Sequence, residues 1–308
     1  MTFVVAGHTG LVGSAILESL QERGESVIGV NSQIVDLLDR EATFEFLTDL
    51  KPDVVIDAAA IVGGIGANNS MPVEFLSKNL QIQSNLMDAS HAAGVERFVF
   101  LGSSCIYPRD CPQPIKEDYL LTGPLEQTNS AYAIAKIAVI ELIKSYRKQF
   151  GHHWISLMPT NMYGPRDNFN LETSHVLPAL INRFVSASDE KLSSVTLWGT
   201  GSPKREFMHV KDLARATVTA IEKYDSVSHL NVGTGQDISI KELAAIVAQK
   251  SGFGGEILWD NSKPDGTPRK VLDNSRLTSL GWQPEIPLED GVTSTIEWFR
   301  DNRSKVRA

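Results

Sequence analysis

The chain has 308 residues, of which 42% are hydrophobic and 21% charged, and its formal net charge is −8. Such a composition suits an enzyme-sized globular chain with an ample core, and the acidity argues against nucleic acid as a partner. No apolar run approaches the roughly 18–20 residues of a membrane span, the N-terminus enters a strand without a basic leader, and two cysteines, Cys105 and Cys111, are too few for a disulfide framework, so a cytoplasmic protein with no membrane association is expected.

Residues 3–6 read as a short buried strand, followed by a turn with Gly7, Gly10 and Gly13 and then a helical pattern through Leu17 and Leu20 to about Gly24. Strand, glycine turn and helix in that order are the context of a dinucleotide fingerprint. Gly7 permits the tight turn, Gly10 lets backbone approach the pyrophosphate, and Gly13 lets the helix pack on the strand. The pyrophosphate would rest on the helix N-terminus, where free N–H groups and the dipole favour anions. Residues 26–30 form the second strand. An NAD-binding fold carries an acid at the end of that strand for the ribose 2′-hydroxyl. Here the positions are Asn31, Ser32 and Gln33, and Thr9 of the turn is no base either. The missing acid leaves room for a 2′-phosphate and inclines the choice to NADP (NADPH), although no arginine stands there. Asp36 and Asp39 either cap the next helix or touch adenine.

Residues 53–57 form the third strand, and Ala58, Ala59 and Ala60 suit either a flat cofactor or tight packing. A glycine-rich loop over 61–71 leads to a helix over about 72–91, from which Asn79 is expected to bond across the sheet. The fourth strand, 97–101, delivers Ser103. Tyr132 and Lys136 follow on the next helix, one turn apart on one face. The ammonium is expected to lower the phenol from its usual pKa near about 10. A Ser/Tyr/Lys set of this kind protonates a carbonyl oxygen while hydride arrives at carbon. Cys105, two residues past Ser103, is expected on the same side of a continuing strand. The fifth strand covers 154–158.

This alternation predicts an α/β fold, a Rossmann-type doubly wound parallel sheet with a smaller α/β substrate-binding domain. Past Pro165 loops predominate, with a helix after His175, a strand ending at Trp198, a helix over 210–224 capped by Asp212 or a neighbour, a strand at 230–233 that rejoins the sheet, helices over 240–250 and 288–303, and a charged loop at 263–270. The domains are therefore drawn as 1–165, rejoined by about 206–235, for the dinucleotide, and 166–205 with 236–308 for substrate.

The glycine turn, Ser103, Tyr132 with Lys136, and the stretch 205–210 resemble the extended short-chain dehydrogenase/reductases that act on nucleotide sugars. Stretches 102–108, 158–169, 174–180 and 263–270 narrow the resemblance to the GDP-L-fucose synthase family, over essentially the whole chain. The resemblance implies epimerisation of GDP-4-keto-6-deoxy-mannose at C3 and C5, then reduction at C4 by NADPH. A 4-keto group acidifies both neighbouring C–H bonds, so one residue must remove a proton and another return it. By family match these are Cys105 and His175, with Ser103 and Tyr132 at O4 and Lys136 on the nicotinamide ribose. The cofactor positions implied are Gly7, His8, Thr9, Gly10, Leu11, Val12 and Gly13, then Leu101, Gly102 and Ser103, Lys136, then Pro159, Thr160, Asn161 and Met162, and His175. Arg183 and Arg205 would hold the diphosphate of the GDP-sugar, Trp198 its base, and Asp265 the guanine or ribose; Lys204 and Lys270 add positive field. For Arg205 the alternative is a surface ion pair with Glu206. The imidazole of His8, and His91, His152, His153, His209 and His229, are read as structural, and Cys111 as a bystander. No metal is called for, and the family's dimer seam of paired helices implies a homodimer. A 4,6-dehydratase would want acids where Cys105 and Ile106 stand, and a simple 4-epimerase leaves Cys105 and His175 unexplained. A relative acting on a 3,6-dideoxy sugar and a dinucleotide-sensing protein remain as alternatives.

Overall fold

The computed structural model describes residues 1–263 and 265–306. In chain order the elements are β1 (Thr2–Ala6), α1 (Leu11–Glu22), β2 (Ser26–Val30), α2 (Arg40–Leu50), β3 (Val54–Asp57), α3 (Ile65–Ser70), α4 (Asn79–Ala92), β4 (Arg97–Leu101), α5 (Ser130–Phe150), β5 (Ile155–Pro159) and β6 (Asn161–Tyr163). Then come α6 (Val176–Asp189), β7 (Ser194–Trp198), β8 (Lys204–His209), α7 (Val210–Lys223), β9 (Leu230–Val232), β10 (Asp237–Ser239), α8 (Ile240–Lys250), β11 (Glu256–Asp260), β12 (Arg269–Lys270), α9 (Ser275–Ser279) and α10 (Leu288–Asn302).

Six strands form one sheet in the order β2-β1-β3-β4-β5-β9, every pair parallel. Their near-continuous apolar runs are what a parallel sheet covered on both faces requires. On one face Ile16 and Leu20 of α1 meet Leu213 of α7; on the other, Leu47 of α2, Leu86 of α4 and Val139 of α5 pack together. The late strand β9 joins β5, as expected from its apolar run. The remaining strands make two small sheets. β8 is flanked by β10 and β12 and also pairs with β6, while β7 pairs with β11. Phe184 of α6, Leu243 of α8 and Phe299 of α10 close a separate core over them. Among the described residues no helix is long and apolar enough to cross a membrane.

Local chemistry sets several boundaries. Asp39 accepts from Ala42 N–H and caps α2, one of the two roles left open for it. Asp36 accepts from Leu38 N–H. Ser239 and Glu242 form a reciprocal capping box on α8. Other expectations are corrected. The stretch read as a loop over 61–71 contains α3, and a π-helical turn (Glu74–Lys78) precedes α4. Asn79 does not reach across the sheet but ties Ile61 to its own helix through the Ile61 N–H, the Ile61 carbonyl and the Phe75 carbonyl. The cap of α7 is His209, whose Nδ1 accepts from Lys211 N–H. Asp212 instead accepts from the backbone of Glu285 and Ile286.

Candidate active site

The sheet order reverses direction between β1 and β3, and a ligand crevice in such folds opens at the carboxyl ends of strands at that point. Gly7 lies there with φ +80°, and a Cβ on it would come within 2.7 Å of the Ala58 carbonyl oxygen. A Cβ on Gly13 would meet the Gly7 carbonyl oxygen at 2.2 Å. Both glycines are thus demanded by packing. Gly10 differs: it is exposed, and only the Gly7 oxygen lies near its missing Cβ, at 3.5 Å. No side chain caps α1, so the N–H groups of Leu11, Val12 and Gly13 face the open loop. This cradle fits a pyrophosphate. The His8 ring packs over Gly29 of β2, and its buried Nδ1 has no partner among the described residues. At the end of β2 the Asn31 carboxamide is used locally, accepting from Gln33 and Ile34 N–H.

The second group of residues stands at the ends of β4 and β5. Gly102 N–H donates to Leu157 carbonyl at 2.8 Å, which keeps the chain on the sheet one residue beyond β4. Ser103 then turns away in extended backbone, and its Oγ accepts from Cys105 N–H at 3.2 Å. Cys105 therefore lies on a 3₁₀ turn (Ser104–Ile106), not on a continued strand. The hydroxyl that ends the strand also starts the turn. Cys105 Sγ is held by Asn129 Nδ2 at 3.4 Å and by Lys270 Nζ at 3.9 Å. Neither partner forms a recognisable motif with Cys105, since they lie 24 and 165 residues away. Lys270 thus does more than add positive field.

Tyr132 and Lys136 share one face of α5. The Lys136 ammonium is buried, lies 5.7 Å from the Tyr132 ring centroid, and donates to the Leu101 carbonyl at 3.1 Å. Phe75, from the π-helical turn, meets the Tyr132 ring edge-on at 6.1 Å. The phenol is not lowered, as expected from the nearby ammonium, but held above its ordinary range. Desolvation is the main cause, and negative charge on Cys105 and Asp57 adds to it. The ammonium is directed at the carbonyl of β4 and not at the phenol oxygen.

After β5, Thr160 N–H donates to the Val232 carbonyl and Asn161 Nδ2 to the Glu206 carbonyl, while Met162 packs on the core. His175 occupies the N-cap of α6, makes no capping bond, and stays open to solvent. Although its surface reaches solvent, the protein packed around the ring disfavours the imidazolium and lowers its pKa. His175 has no hydrogen bond to Cys105 or Tyr132 among the described residues. The two sides of the cleft are instead linked by backbone. Gly64 N–H, at the start of α3, donates to the Thr173 carbonyl at 2.9 Å, and α3 packs on the turn that carries Asn129.

Arg205 and Lys270 are register partners on β8 and β12, so both side chains leave one face. Arg205 does not pair with Glu206, which points to the opposite side, is fully buried, and accepts from the backbone of Gly235 and Leu272. Asp265 accepts from Thr200 N–H at 3.0 Å and sits against Gly199. Trp198 is 70% exposed, and the Lys263 ammonium lies 5.7 Å from its ring centroid. Arg183, on α6, reaches the Thr196 carbonyl at 3.3 Å. Arg205 and Trp198 stand on the small sheets, Asp265 on the loop after β11 and Arg183 on α6, and Lys270, the register partner of Arg205, joins this layer to the Cys105 thiol.

The sequence model of the NAD dependent epimerase/dehydratase family matches residues 3–233, from β1 through β9 and every element that carries the glycine turn, Ser103, Tyr132 and Lys136. The chain belongs to this family. Within the family it is 52% identical over 299 residues to GDP-L-fucose synthase 1 of Arabidopsis thaliana, covering 97% of this chain and 93% of that protein. It is 37% identical over 306 residues to GDP-L-colitose synthase of Yersinia pseudotuberculosis, covering 99% of each. The crystal structure of a GDP-L-fucose synthetase from Naegleria fowleri bound to NADP superposes with a TM-score of 0.92 at 29% identity, covering 100% of this chain and 95% of that one.

Proposed function

We propose that this chain is a bifunctional 3,5-epimerase and 4-reductase that converts GDP-4-keto-6-deoxy-mannose to GDP-L-fucose with NADPH. The observation that carries it is local. A thiol held by Asn129 and Lys270 lies on the turn begun by Ser103, and that turn packs on α5, which carries Tyr132 and Lys136, so the groups for proton exchange and for reduction border one space. The identity of 52% to a GDP-L-fucose synthase, against 37% to a GDP-L-colitose synthase, favours the 6-deoxy over the 3,6-dideoxy substrate.

The Gly7–Gly13 loop would hold NADPH, which when bound would supply the hydride for C4. Lys136 would anchor its nicotinamide ribose, and Leu101, Gly102, the 159–162 stretch and His175 would line the crevice around it. Ser103 and Tyr132 donate hydrogen bonds to O4. They hold the charge that develops there when a neighbouring C–H proton leaves, and Tyr132 gives its proton when C4 is reduced. Cys105 and His175 serve as the acid/base pair at C3 and C5. The lowered pKa of His175 leaves its imidazole neutral and able to accept a proton. Arg205 and Arg183 take the diphosphate, Trp198 the base, and Asp265 a guanine or ribose hydroxyl.

We further assign residues 1–165 with 206–235 to the cofactor domain and 166–205 with 236–308 to the sugar-nucleotide domain. The protein is proposed to work as a cytoplasmic homodimer. Support for this comes from two free thiols and from apolar Val73, Ile134 and Phe150, exposed on or beside the α4–α5 helices.

The test is turnover of GDP-4-keto-6-deoxy-mannose in deuterated water with NADPH. Cofactor oxidation together with deuterium at C3 and C5 is expected. Exchange without oxidation would reduce the protein to an epimerase, and oxidation without exchange would reduce it to a reductase.

A further inference from the structure

Asp57 is the last residue of β3, and no step above uses it. Its register partners are Ala6 on β1 and Phe100 on β4. Cross-strand partners in a sheet point to one face, so Asp57 faces the side where Phe100 packs beneath α4 and α5. The Lys136 ammonium lies over that same Phe100 ring, 4.6 Å from its centroid. Carboxylate and ammonium therefore occupy one buried space, and each acts on the other's charge.

The other partners of Lys136 are neutral. They are the Leu101 carbonyl and, in the amide orientation that satisfies both groups, Gln83 Oε1 at 3.0 Å. Asp57 is 1% exposed. One of its oxygens accepts from Ala59 N–H at 3.2 Å, but among the described residues Oδ2 has no hydrogen-bond partner. A strand end needing only the Ala59 bond is served by one neutral acceptor. A second, unpartnered carboxylate oxygen is costly to bury and calls for a role that uses the charge. On this face Asp57 lies between Ala6 of β1 and Phe100 of β4, Gln83 of α4 meets Lys136, and Lys136 and Tyr132 of α5 carry the nearby titrating groups. The titratable groups around it are therefore Lys136 and Tyr132, with Cys105 acting on the latter.

We propose that Asp57 is a positioning residue for the reduction, its buried carboxylate acting across the space it shares with Lys136, without direct contact, to keep the ammonium in the charged form that the Tyr132 set requires. This rests on the reading of Lys136 as the partner of Tyr132. Burial pushes the Asp57 carboxyl up to about 6 and the Lys136 ammonium down to about 8. On the acid side Asp57 takes a proton and the countercharge is lost. On the alkaline side Lys136 gives one up. Removing the carboxylate leaves desolvation unopposed, so Lys136 deprotonates at lower pH.

The test is Asp57→Asn, with Asp57→Leu as a second variant should the first not fold. The pH profile of NADPH-dependent reduction is expected to lose its acid limb, and its alkaline limb is expected to move down by about one pH unit or more. Carboxyl NMR of carbon-labelled aspartate gives a readout independent of activity. Two aspartates, Asp57 and Asp167, should titrate well above the ordinary carboxylate range; the signal that vanishes in Asp57→Asn should move further up in Lys136→Met, and the Asp167 signal should stay in both. Unmoved limbs in both variants, or a carboxyl titration indifferent to Lys136→Met, would overturn the proposal. A Lys136→Met protein that still reduces substrate would instead refute the Tyr132–Lys136 assignment on which it stands.

Discussion

Tyr132 and Lys136 stand on α5, a helix of 21 residues packed into the core, whereas Cys105 stands on a single 3₁₀ turn and His175 at the open cap of α6. In the first pair, burial and fixed neighbours decide the charge state of each group. In the second, the groups are tethered by a few long-range contacts, Asn129 and Lys270 for the thiol and the Gly64–Thr173 backbone bond near the imidazole. The difference matches the two tasks proposed for them. Delivering one proton to a known oxygen favours a rigid, desolvated donor. Exchanging protons at two carbons with the medium favours groups that solvent can reach.

The largest expected effect tests whether the two sets are separable. Tyr132→Phe removes only the hydroxyl and should slow reduction by about 10²–10⁴-fold while C–H exchange into deuterated water falls far less. Equal loss of both activities in a folded protein would erase the distinction between the sets. Cys105→Ser is the mirror experiment. Exchange at the sugar carbons should drop by about 10²-fold or more with NADPH affinity unchanged, as read by cofactor fluorescence; retained exchange would remove Cys105 from the chemistry.

Smaller effects sharpen the comparison. Arg205→Ala removes the charge-assisted contact proposed for the diphosphate and should raise KM roughly 10-fold or more with kcat little changed. An unchanged KM would place the diphosphate elsewhere. His175 has a lowered pKa, so its neutral form extends below the usual imidazole value of about 6.5. The acid limb of C–H exchange should therefore fall below that value and disappear in His175→Asn; a limb above it would mean the imidazolium is stabilised. The smallest effect lies outside both sets. Asp39→Ala removes the cap of α2 and should cost about 1 kcal/mol of stability, visible as a small drop in Tm with kinetics unchanged.

Periodicity and glycine placement alone located every strand of the main sheet and the helices that cover it, because a buried parallel strand or an amphipathic helix repeats its signal over many residues. The glycine turn was legible for the same reason: Gly7 and Gly13 are required by contacts with chain segments near in sequence or register. Ser103, Tyr132, Lys136, Cys105 and His175 were nameable from residue type and family resemblance. Their surroundings were not. The Asn129 and Lys270 contacts to the thiol, the opposed facing of Arg205 and Glu206, the turn that carries Cys105, and the raised phenol of Tyr132 depend on which distant residues meet. Asp57 is the clearest case. In sequence it is the polar end of an apolar strand, and only the register with Phe100 and the lean of α5 set its charge beside Lys136. Local patterns record how each segment pairs with solvent and core. A pKa is set by burial and by charges brought together across the chain, which no local pattern carries.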